Sequence, residues 1–68
     1  MKTYILIEDL STHKYLNLDM RWRISWVKDK HDATPIENNE FYYNWLEKKG
    51  LCKYDYLWHL CDKNGGFI

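Results

Sequence analysis

Four groups of residues have the types and spacing to do chemistry. Cys52, His59 and Cys61, with His31 or Asp62 as a fourth donor, hold the sulfur, nitrogen and oxygen ligands that zinc takes. The paired short cysteine spacing of structural zinc sites is missing, however, and His59-Leu60-Cys61 supplies a single ligand pair. His59 and Cys61 lie two residues apart, so on a strand they share a face as a base and a thiol would, yet an active cysteine also needs a cleft and an orienting group. Glu37 and Glu40 form a carboxylate pair whose ordinary explanation is the start of a helix, where negative charge is favoured. Arg21-Trp22-Arg23-Ile24-Ser25-Trp26 interleaves basic and aromatic residues as single-strand nucleic-acid binders do. On a strand the two types point to opposite faces, which favours an apolar tryptophan stripe backed by solvated arginines. Arg21 and Arg23 then stand ready for acidic groups on a partner. No glycine-rich phosphate loop, nucleophile elbow or HExxH is present. The reading is therefore non-enzymatic, without a cofactor or metal, and with direct nucleic-acid binding disfavoured.

The elements that must carry these residues follow from periodicity. Thr3 to Glu8 is rich in β-branched and aromatic residues, and Asp9 to His13 is a polar connection to a second strand at Lys14–Leu18. Trp22, Ile24 and Trp26 alternate with Arg21, Arg23 and Ser25, the period of a third strand, and Lys28 to Asp32 is a charged loop. Asp19-Met20 contains neither Gly nor Pro, so one long bent strand is an alternative to a turn there. Thr34-Pro35-Ile36-Glu37 has the form of a capping box with proline at the first helical position. It predicts a helix over 35–49, closed by Lys48-Lys49 and by Gly50 at the left-handed C′ position. Tyr54, Tyr56, Trp58 and Leu60 alternate as a last strand, although Leu51, Tyr54, Trp58 and Cys61 also fit a helix; aromatic enrichment favours the strand. Asp62 to Gly66 reads as a turn, after which Phe67-Ile68 can return to pair. The fold class is α+β: a small antiparallel-rich sheet in the order β-β-β-α-β with one amphipathic helix on one face.

Sixty-eight residues, 46% of them hydrophobic, allow one domain over 1–68, with an expected radius of gyration of about 11 Å. Ten basic residues balance ten acidic ones, so neither a basic nucleic-acid coat nor an acidic DNA mimic is indicated. Tyr4-Ile5-Leu6-Ile7 is the longest apolar run, far below the ~20 residues of a membrane span and the core of a secretory signal, which points to a cytoplasmic chain. The nine-residue separation of Cys52 and Cys61 is about 30 Å on a strand or 13 Å on a helix, too far for a disulfide within one element.

Four Trp, six Tyr and two Phe give the chain more ring area than one helix covers. Tyr4 and Leu6 lie opposite Ile5 and Ile7 on the first strand, and Tyr54, Tyr56, Trp58 and Leu60 lie opposite Leu57 and Cys61 on the last. Both sheet faces are thus apolar. The uncovered one requires a second copy, a partner protein or a ligand. Tyr4, Tyr54, Tyr56 and Trp58, with Arg21 and Arg23, are the expected contact residues, since tyrosine and tryptophan dominate binding hot spots.

A short, aromatic-rich α+β chain without a catalytic signature, with a hairpin ahead of the Thr34-Pro35-Ile36-Glu37 segment, resembles the small proteins of bacteriophages and other mobile elements, including anti-CRISPR and related anti-defence inhibitors. The resemblance implies an inhibitor that occludes a functional surface of a host protein or ribonucleoprotein complex in the host cytoplasm, often as a homodimer. Its neutral charge departs from the acidic members of that group and favours an interface of shape and rings. The competing expectation is a binder of a nucleotide signal, stacked between aromatic residues at a dimer interface.

Overall fold

The computed structural model describes residues 2–51 and 55–67; Cys52 and Tyr54, both singled out above, lie outside the described residues. Strands β1 (Tyr4–Asp9), β2 (Tyr15–Leu18), β3 (Ile24–Val27) and β4 (Ile36–Glu37), helix α1 (Glu40–Lys48) and strand β5 (Tyr56–Cys61) follow one another, with a 3₁₀ turn at Lys30–Asp32. All described strand pairings are antiparallel. The α+β class therefore holds, with a five-stranded sheet and one helix. Its Cα radius of gyration is 10.9 Å.

The apolar, β-branched β1 is the central strand. Its whole length pairs with β5, from Tyr4 opposite Cys61 to Asp9 opposite Tyr56. Its other edge is shared: β2 takes the C-terminal end at Glu8, and β4 takes the N-terminal end at Tyr4 and Ile5. β3 extends the sheet beyond β2, and β4 and β5 each pair with β1 alone among the named strands, so that β3, β4 and β5 all have an edge. Ile5, Ile7, Leu16, Ile36, Leu46 and Leu51 form the main core, with α1 contributing Leu46 and partly buried Tyr42, Tyr43 and Trp45.

The helix corrects the sequence reading at its start. Thr34-Pro35-Ile36-Glu37 does not cap a helix; Ile36 and Glu37 form strand β4 against β1. The Thr34 hydroxyl is drawn across the sheet instead, accepting from Leu18 N–H at 2.8 Å and donating to Leu18 C=O at 3.3 Å. Proline is compatible with either outcome, because its missing N–H costs nothing at an edge or at a helix start. Asn39 is the true cap: its Oδ1 accepts from Tyr42 N–H at 3.1 Å, and Glu40 follows in the positively polarised first turn. The end is as expected. Gly50 has φ +76°, its N–H reaches Glu47 C=O, and Leu51 N–H reaches Leu46 C=O, the two bonds of a Schellman ending whose apolar pair, Leu46 and Leu51, enters the core.

A second correction concerns the sheet face away from the helix. It is closed over Leu6 and Cys61, while Leu57 on the same face stays 45% exposed. Leu6 and Cys61 are fully buried there, because the chain turns at Asp62 and returns along it, with Phe67 bridging to Cys61. The Asp62 carboxylate ties this turn by accepting from Asn64 N–H and Gly66 N–H, and Gly65 takes φ +83°. Phe67 then stacks on His59 at 4.7 Å, with Lys30 Nζ 4.5 Å from the Phe67 centroid.

Candidate functional site

The residues expected to make contacts part company in the structure. Tyr56 and Trp58 pack on the helix-covered side, against the main core. Tyr56 stacks on Trp26 at 5.6 Å and Trp58 on Tyr43 at 5.6 Å. Their expected place on an uncovered face is therefore corrected: β5 register sets Trp58 opposite Ile7 and Tyr56 opposite Asp9, on the face of β1 that carries Ile5 and Ile7, where the helix and β3 supply ring partners. Tyr54 lies outside the described residues. Arg21 and Arg23 do not form a row on a strand, because the chain turns from Asp19 to Arg23 before β3 begins. Asp19 builds that turn without glycine or proline. Its Oδ1 accepts from Arg21 N–H and Arg23 N–H at 2.8 and 2.9 Å, and its Oδ2 accepts from Arg23 Nε at 2.8 Å. These bonds, those from Arg23 above all, hold its carboxyl below the usual range.

Trp22 is the residue this turn displaces. Its φ is +61°, a left-handed conformation that a bulky residue rarely adopts and that costs free energy unless its surroundings enforce it. Period-2 alternation places Trp22 in a buried stripe with Ile24 and Trp26; instead its ring swings over α1. It lies nearly parallel to Tyr42, 6° between planes and 5.5 Å between centroids, and edge-on to Trp45 at 5.4 Å. Phe41 meets Tyr42 edge-on at 5.1 Å. Four rings from the turn and the helix are thus joined by direct contact. This surface is not closed: Phe41 is 71% exposed and Trp22 46%, and Met20 at the tip of the same turn is 99% exposed.

Beside the rings is a cleft of about 300 Å³, lined by Tyr4, Leu18, Trp22, Ile36 and Tyr42, with Asp19 and Glu37 as its charged groups. It exists because β2 and β4 share one edge of β1 without continuing each other, and because Trp22 and Tyr42 wall the gap. Among the described residues, Tyr4 is the one expected contact residue that lines it. Trp22 and Tyr42 were legible only as aromatic residues of a stripe and of a helix face; no local signal announces a left-handed tryptophan.

A second polar cluster lies on the far face. Glu8 Oε1 is 2.7 Å from His59 Nε2, and Oε2 is 3.0 Å from His13 Nδ1. The bond to His13, then that to His59, lowers the Glu8 carboxyl below its ordinary 4.5, so at neutral pH both rings donate to a carboxylate. Burial pushes the Cys61 thiol up, with Asp62 adding to the shift. A raised, buried thiol is a poor nucleophile. Among the described residues no group of three or more His, Cys, Asp or Glu is arranged to hold a metal, and no helix is long and apolar enough to cross a membrane. No protein-family model, curated protein or solved structure matches the chain.

Proposed function

We propose that this chain is a non-enzymatic docking protein, an inhibitor of the anti-defence type that covers a functional surface of a host protein or ribonucleoprotein complex in the cytoplasm. The observation that carries this reading is the ring-to-ring surface of Trp22, Phe41, Tyr42 and Trp45, in which Phe41 and Trp22 stay exposed while Tyr42 and Trp45 anchor them to the core. Contiguous exposed apolar area is uncommon on a protein that acts alone, and rigid rings give large contact area at small entropic cost. The strain at Trp22 supports the same reading, since backbone strain concentrates where function requires a particular side-chain position.

A nucleotide-signal binder is the weaker alternative. Among the described residues the cleft beside the rings is lined by two carboxylates and no cationic residue, which opposes phosphate. Its volume is also at the small end for a ligand site.

The test compares wild type with Phe41→Ser, a substitution at an exposed position. The wild-type chain is expected to retain a host protein that, once purified, rebinds it and loses activity on binding. Phe41→Ser is expected to lose that rebinding while keeping its melting temperature. Equal rebinding by both proteins would remove the aromatic surface from the interface.

A further inference from the structure

We propose that the cleft between Tyr4, Trp22 and Tyr42 receives the cationic end of a lysine or arginine side chain presented by the docked partner. This inference rests on the docking reading and names the chemistry its interface selects.

Three aromatic residues from three different elements converge on the cleft: Tyr4 from β1, Trp22 from the Asp19–Arg23 turn and Tyr42 from α1. Aromatic walls attract cations through the negative faces of their rings, most strongly where water is excluded. The charged groups that line the cleft are both carboxylates. They differ in what they have left to offer. Asp19 is committed to its own turn through three donors. Glu37 is held in register by the pairing of β4 with Tyr4, and its side chain is 32% exposed. Its only ionic contact among the described residues is Lys2 Nζ at 3.3 Å, from a side chain that is 73% exposed. An exposed ion pair of this kind contributes little, so it yields to a cation that the rings also hold. Lys2 thus acts as a weak internal competitor for the acceptor that a partner's cation would use. The volume, about 300 Å³, suits one side chain rather than an extended ligand. Apolar Leu18 and Ile36 complete the walls, as a partly aliphatic lysine or arginine stem requires.

The test is an NMR titration of the whole chain with N-acetyl-arginine amide and N-acetyl-lysine amide, with neutral N-acetyl-citrulline amide as the control. Both cations are expected to move the Trp22 indole N–H resonance saturably, while citrulline leaves it in place. Glu37→Gln is expected to weaken binding at least fivefold and Lys2→Met to strengthen it, both without loss of melting temperature. Equal shifts with citrulline, or a change below twofold in Glu37→Gln, would overturn the inference. Its failure is separable from that of the docking reading. If the cations do not bind but Phe41→Ser still loses the partner, only the cationic inference falls. Saturable cation binding with Phe41→Ser rebinding normally would uphold the cleft and overturn the aromatic surface as the docking face.

Discussion

Glu8 shows how much one side chain contributes here beyond its place in a strand. It points away from the main core and joins two histidines distant in sequence, His13 in the hairpin connection and His59 on β5. Because its carboxyl is lowered in the folded chain, the unfolded chain binds more protons in the acid range. Its contribution is therefore complete above pH 4.5 and is lost as pH falls through the lower folded value. Urea unfolding at pH 7 and pH 3 should show a smaller acid loss for Glu8→Gln than for wild type, because the variant lacks this titration. An equal loss in both would assign acid sensitivity to the turn carboxylates Asp9, Asp19 and Asp62, which are also lowered. Trp22 makes a different point at the same scale. Its backbone conformation follows from the Asp19 turn, so the Asp19 carboxylate positions a ring three residues away. Asp19→Ala is expected to release Trp22 from Tyr42, read as loss of the ring-current shift on Tyr42, before it unfolds the chain.

Among the elements, β4 and α1 decide how the cleft is built, and both depend on a choice between two caps. Thr34 has the hydroxyl, proline and glutamate spacing of a capping box, yet Asn39 does the capping. Thr34→Val should therefore leave helix content unchanged while costing about 1–2 kcal/mol, because the part-buried Leu18 N–H loses its acceptor. Asn39→Ala should cost about 1 kcal/mol and lower helical circular dichroism. The reverse pattern would restore the longer helix. The capping box was misleading for a physical reason: two residues of β-ladder against Tyr4 and Ile5, together with burial of Ile36, stabilise that segment more than an extra helical turn would. Local spacing does not contain those distant partners.

For the whole molecule, the question is where the ring area goes. Tyr56 and Trp58 pack against the core, and Trp58→Ala should destabilise the fold by about 3 kcal/mol, the low end for removing a large ring that is only partly buried. Phe41→Ser, by contrast, should alter stability by less than about 0.5 kcal/mol, as exposed substitutions do. Light scattering after size exclusion would show whether the same surface pairs two copies. A dimer in wild type that becomes a monomer in Phe41→Ser would make self-association the resting shelter of the rings, whereas a monomer in both leaves the surface to a partner.

Several features were legible in the residues alone. β-Branched and aromatic runs marked β1, β2 and β5; Gly50 marked the helix end; Asp62 to Gly66 marked the last turn. Each is a local preference written within a few neighbouring residues, which is why reading along the chain finds it. The excess of rings over what one helix hides was also legible, because it is a matter of composition. Tertiary structure alone decided which rings those are. It closed the far sheet face over Leu6 and Cys61 with the returning C-terminal segment, set Tyr56 against Trp26 of β3 and Trp58 against Tyr43 of the helix, and set Trp22 on Tyr42 through a turn that breaks the strand's alternation. Face and exposure depend on pairing register and on partners dozens of residues away, and one added or missing residue in a turn exchanges the inner and outer sides of everything that follows.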